Sequence, residues 1–158
     1  IDLNNISIKL LKNAKKHKLS NQLFIEPFLV PHRDEFSETV GYRIVGLRNS
    51  ATFIPDIDKW SKWDRDIKKV VLNSNISFID GTFFSNDEIP HRDMSEIPHP
   101  FIIETMEQLS SLNSINKNKV HFIHLNHSNP ALREHTSATK LIKAKHFNIA
   151  KEGQTFDL

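Results

Sequence analysis

The chain has 158 residues, 38% hydrophobic and 25% charged, which is the size and polarity of one globular domain able to bury about 70% of its unfolded surface. Its 21 basic and 19 acidic side chains leave a formal net charge of +2, so neither nucleic acid nor a membrane surface is an expected partner, and the basic run at 12–18 reads as a solvated turn. It contains no cysteine, which excludes disulfides and thiolate ligands, so any metal must be held by His, Asp or Glu.

In chain order, 6–11 (ISIKLL) and 22–30 (QLFIEPFLV) are expected strands, rich in branched and aromatic residues and joined by the basic turn. The stretch 40–47 (VGYRIVGL) alternates like a half-buried strand, and 50–54 (SATFI) reads as its hairpin partner. Trp60, Trp63, Ile67, Val70 and Val71 recur at three- and four-residue spacings, which predicts a helix over 60–72. A short buried strand follows at 76–80 (ISFID), then a helix at 99–112 with Phe101, Ile102, Met106 and Leu109 on one face, then a strand at 119–125 (KVHFIHL). The last helix is expected at 137–145 with Ser137 as its cap, and FNIAKEG and TFDL as closing edge strands. Strands and helices alternate in the second half while the first is strand-rich, which points to an α/β or α+β layer architecture: a sheet covered by helices. With no internal repeat and no Gly/Ser linker, residues 1–158 read as a single domain or one piece of a domain. No apolar run approaches the ~20 residues of a membrane span and no signal-like segment opens the chain, so a cytoplasmic location is the expectation.

Four of these segments end alike. An apolar triplet runs at once, or after one proline, into a side chain that can bind metal or move a proton: FLV into Pro31 and His32, TFI into Pro55 and Asp56, SFI into Asp80, and HFI into His124, Asn126 and His127. In α/β sheets, ligands gather outside the carboxyl ends of strands, so four such ends define a candidate site. His32, Asp56 and His124 together offer nitrogen and oxygen donors suited to zinc, iron or manganese. Asp34, Glu35, Asp58, Asp80 and Asn126 are the nearby side chains able to orient those ligands by hydrogen bonding. Taken singly, each has a plainer reading: a turn histidine, a helix cap at Asp56 or Asp58, a turn residue at Asp80.

The segments VPHRDEFSETVGYRI, FIPDIDKW, IDGTFFSNDEIPHRDMSEIPHPFI and FIHLNHSNPAL, in that order and followed by FNIAKEGQTFDL, resemble the coenzyme PQQ synthesis protein B family, a branch of the metallo-β-lactamase fold. The resemblance runs from about residue 22 to the end of the chain. It implies an αββα sandwich with a metal centre at one edge between the two sheets. By position, His32 is similar to the third histidine ligand of that fold, Asp56 to the aspartate that bridges two metals, and His124 to the final histidine, with His127 competing for the same role. His99 is similar to the histidine that phosphodiesterases of the ribonuclease Z branch place near the scissile group, and Asp80 to an acidic residue that supports the ligands there. The fold's first metal motif, His-x-His-x-Asp-His, should precede His32, and residues 1–31 do not supply it. The expectation is therefore the C-terminal half of a longer domain, carrying half of its metal site.

On this reading the cofactor is a divalent metal, zinc first, with iron or manganese as alternatives. Asp56 would orient the attacking water, and His99 or Asp80 would act as acid or base. The resemblance also implies a role in making the quinone cofactor from a tyrosine- and glutamate-derived precursor, with iron-dependent oxidation as one form of the chemistry. The expected partner is a small anionic molecule held by Arg33, Arg92 or Arg133, since guanidinium pairs with carboxylate in bidentate fashion. The alternatives are a phosphodiesterase- or lactonase-type hydrolase of the same fold, and a non-catalytic binding protein with an incomplete metal site.

Overall fold

A computed structural model describes residues 7–91 and 93–158. Seven strands form one mixed sheet whose spatial order is the chain order: β1 (His17–Lys18), β2 (Phe24–Leu29), β3 (Val40–Val45), β4 (Ser50–Ile54), β5 (Ile76–Asp80), β6 (Val120–Ile123) and β7 (Asn148–Ile149). The first four pair antiparallel and the last four parallel. Because β2 and β4 both run against β3, the strands β2, β4, β5 and β6 all point the same way. Their carboxyl ends lie along one edge of the sheet.

The register Ile54, Ile79, Phe122 puts three fully buried side chains in one row across the parallel strands. Against that face pack α1 (Ile67–Leu72) through Ile67 and Val71, α2 (Ile102–Gln108) through Ile102 and Met106, and α4 (Ser137–Ala144) through Ile142. The short α3 (Ser114–Lys117) buries nothing. The opposite face carries Tyr42, Phe53, Phe78 and His121, all half-buried, and Phe156 from the C-terminal segment packs on Phe78 and His121. The arrangement is mixed α/β: one seven-stranded sheet with helices packed on one face.

Several elements depart from expectation for local reasons. Residues 7–11 form no strand; the place beside β2 is taken by β1, within what reads as the basic turn, and residue 6 lies outside the described residues. The helix expected over 60–72 is broken. Trp60 donates its indole N–H to Thr105 and Trp63 donates to the Leu29 carbonyl, so the two rings anchor a 3-10 turn (Trp60–Lys62), and Asp66 then caps a new helix at the Lys68 N–H. The helix at 99–112 is shortened to α2, where the Glu104 carboxylate accepts from the Phe101 N–H. Thr136, not Ser137, caps α4, its hydroxyl accepting from Thr139 N at 3.1 Å. TFDL is not a strand, and FNIAKEG contributes only the two residues of β7.

Candidate metal centre

The loops leaving β2, β4, β5 and β6 meet at the common edge. Asp58 N donates to the Pro31 carbonyl (2.7 Å), tying the β4 exit to the β2 exit. Gly81 N donates to Ile123 O and Asn126 N to Thr82 O, tying the β5 exit to the β6 exit. Asn129, 1% exposed, donates from Nδ2 to the Gly81 and Thr82 carbonyls and accepts from Ala131 N, so its amide clamps the histidine-bearing turn onto the β5 loop. Gly81 permits this closeness: a Cβ there would stand 2.9 Å from Cβ of Phe122.

On this platform one donor atom each from Asp56, Asp80, His99 and His124 lies within 4.8 Å of the others. His32 joins from the β2 side, with Nε2 3.0 Å from Asp56 Oδ1, and His99 Nδ1 stands 3.4 Å from the same oxygen. Asp80 is wholly buried and is the hub. It accepts from Ile57 N (3.2 Å), Thr82 N (2.9 Å) and Thr82 Oγ1 (2.6 Å), and pairs with His99 Nδ1 (2.8 Å). Burial disfavours the charged form of His99, but the Asp80 hydrogen bond and charge, with the charges of Asp56 and Asp58, outweigh it and raise the pKa above the usual 6.5. His124 reaches the cluster from a left-handed backbone conformation, φ 60°, which costs a non-glycine residue energy and recurs at functional sites.

One pair of atoms tests whether a cation suits this place. His32 Nε2 and Asp56 Oδ1 are both buried and 3.0 Å apart, yet neither makes a hydrogen bond, and the other close approach to Asp56 Oδ1 is His99 Nδ1 at 3.4 Å. Buried polar atoms without partners cost about 1–3 kcal/mol each, and a cation held between a lone pair and a carboxylate removes that cost. The charges also fit, since the carboxylates of Asp56 and Asp80 place negative charge beside a divalent ion. The donors are all nitrogen and oxygen, as zinc, iron and manganese accept.

Of the other sequence candidates, Arg33 lines a cleft of about 320 Å3 beside this cluster, with His32, Thr82, Phe83, Ile97, Pro98, His99 and Asn126. Arg133 lines a different cavity, near α4 and β7, that shares none of these residues. Arg92 lies outside the described residues. His127 is exposed and is not among the converging donors. Asp34 is taken up by Thr39, and Asp58 by Lys59 N and Lys62. Burial opposes the charge on Asp58, but the Lys62 hydrogen bond prevails and lowers its pKa below 3.8. Sequence reasoning passed over Thr82, whose hydroxyl also lies 3.0 Å from His124 Nδ1 and 3.3 Å from His99 Nδ1. The Asp-Gly-Thr spacing, which lets a carboxylate accept from the N–H two residues on, was the available signal.

No protein-family model matches the chain, and no curated protein sequence matches it. Among solved structures it is similar to the Zn2+-bound PqqB of Methylobacterium extorquens, with a TM-score of 0.74 and 19% identity over 94% of this chain and 51% of that one. A protein assigned by inference as a metal-dependent hydrolase, from Parabacteroides distasonis, aligns at a TM-score of 0.48 and 12% identity, covering 90% of this chain and 56% of that one. The chain spans about half the length of each. PqqB has the metallo-β-lactamase fold, and the arrangement of strands and helices described above is that fold as far as this chain extends.

Proposed function

We propose that this chain contributes His32, Asp56 and His124, with His99 and Asp80 beside them, to a divalent metal centre of a metallo-β-lactamase-fold enzyme acting on a small anionic molecule. Zinc is the preferred ion, which the Zn2+-bound state of PqqB supports. The observation that carries the reading is the buried His32 Nε2 and Asp56 Oδ1, 3.0 Å apart and without a hydrogen bond to either. When bound, such an ion lowers the pKa of coordinated water to about 7. The residues supply the rest. Asp56 would orient that water. His99, gripped at Nδ1 by Asp80 and protonated above its ordinary range, can give a proton to a leaving group from Nε2. Arg33 at the cleft can pair with a carboxylate or phosphate, while Phe83, Ile97 and Pro98 exclude water from its wall.

The Asp80–His99 pair favours hydrolysis of an ester, lactone or phosphodiester over an oxidative step of quinone-cofactor synthesis, because an oriented proton donor serves a leaving group. Zinc titration against a chromophoric chelator tests the centre: His32→Ala and Asp56→Ala should each weaken binding at least tenfold. Unchanged affinity in both would sink it. Zinc-supported turnover of lactone or phosphodiester substrates, set against iron- and dioxygen-dependent turnover, separates the two chemistries.

A further inference from the structure

We infer that the Thr82 hydroxyl is a positioning group that fixes the tautomer of His124, so that the atom this histidine offers to a metal is Nε2. The inference deepens the metal reading above and takes that reading as its basis. A hydroxyl has one proton and two lone pairs. Thr82 Oγ1 lies 2.6 Å from Asp80 Oδ1, the distance of an O–H donated to a carboxylate. Asp80 is buried and can only accept here, since main-chain N–H groups from Ile57 and Thr82 and the ring of His99 also converge on it. The threonine proton is thereby committed to Asp80. Toward the imidazoles the same oxygen can only accept, so His124 Nδ1, 3.0 Å away, must carry a hydrogen. A protonated Nδ1 cannot ligate, and the lone pair of His124 is left on Nε2.

The chain His124 Nδ1–H to Thr82 O–H to Asp80 carries the influence of a buried carboxylate to a ring that Asp80 does not touch. His99 needs no intermediary, because its Nδ1 reaches the second oxygen of Asp80 directly at 2.8 Å. One carboxylate thus orients two histidines, one at each oxygen. Partners that orient metal-bound histidines typically change affinity 10–100-fold when removed. Thr82 itself is buried, and its main-chain N–H also bonds Asp80, so the hydroxyl is held in place whether or not an ion is bound.

Long-range 1H–15N correlation of the histidine rings in the metal-free protein at pH 8 reads the tautomer directly. His124 should show the Nδ1–H form in the wild type and in Thr82→Ser, and should move toward the Nε2–H form in Thr82→Val. Zinc affinity should fall 10–100-fold in Thr82→Val and return in Thr82→Ser. In the zinc-loaded protein the metal-shifted nitrogen of His124 should be Nε2. An Nε2–H ring in the metal-free wild type, coordination through Nδ1, or a Thr82→Val protein with unchanged tautomer would each overturn the inference; the wild-type spectra decide it even if Thr82→Val does not fold. An Nδ1–H ring in a protein that holds no zinc would uphold the positioning role and overturn the metal reading instead.

Discussion

Replacing Asp80 with alanine removes the acceptor shared by two main-chain N–H groups, one hydroxyl and one imidazole, in a place with no solvent exposure. The Ile57 and Thr82 N–H groups would be left buried without partners, at about 1–3 kcal/mol each. His99 would lose the charge that sustains its proton, and breaking a buried pair by removing one member costs about 3–5 kcal/mol. These costs overlap, because His99 can shed its proton and water can enter the vacated volume. A net loss of about 3–5 kcal/mol is therefore expected, a large part of the 5–15 kcal/mol of a typical domain. At about 2–4 °C per kcal/mol for a domain of this size, the metal-free protein should melt about 6–20 °C lower. Asp80→Asn should fall between the two, since an amide oxygen can still accept from the main chain while its NH2 faces the His99 donor. Thermal unfolding by circular dichroism, in chelator at pH 7, measures all three. If Asp80→Ala melted within about 2 °C of the parent, the carboxylate would not be the organising group described here.

The raised pKa of His99 means that its contribution to stability is complete below 6.5 and is lost as pH rises through the higher folded-state value. Urea midpoints of the metal-free protein at pH 6 and pH 9 should therefore differ from those of His99→Gln in that direction. The comparison cancels His121, whose pKa burial lowers and whose contribution has the opposite sign. Gly81→Ala should cost about 1–3 kcal/mol in denaturant unfolding, because the new methyl meets Phe122 at 2.9 Å. Mild or absent destabilisation would mean that the β5 and β6 exits are not held that tightly. At His124, φ 60° predicts that His124→Gly is more stable than His124→Ala by about 1–2 kcal/mol while both weaken zinc binding. His127→Ala should leave zinc affinity unchanged, and a loss there equal to that at His124 would transfer the ligand role to His127.

The strands that the sequence announced most clearly were those with sustained runs of β-branched and aromatic residues, and 50–54 and 76–80 are strands over just those residues. The gathering of His32, Asp56, Asp80 and His124 at one edge was legible because each closes an apolar triplet and the four strands run the same way. Periodicity could not reveal the break after Lys62. The tryptophans keep helical spacing, but their indole N–H groups answer to Thr105 and Leu29, which are distant in the chain. Nor could it reveal Thr82, whose significance arises from three side chains brought within 3.3 Å by folding. The strand reading of 7–11 failed because propensity alone does not supply a neighbour, and β1 holds the edge beside β2.

The spatial order of the strands has a temporal counterpart. Because each strand lies beside its predecessor, the sheet can extend one strand at a time as the chain leaves the ribosome, the longest connection to close being 81–119 between β5 and β6. The donors then arrive in succession, His32 and Asp56 before Asp80, and His124 only once β6 has docked. A nascent chain stalled before β6 would already have most of its sheet, yet it would lack the turn that Asn129 clamps over the cluster. The ability to retain an ion would thus mark a chain whose synthesis has passed beyond that turn.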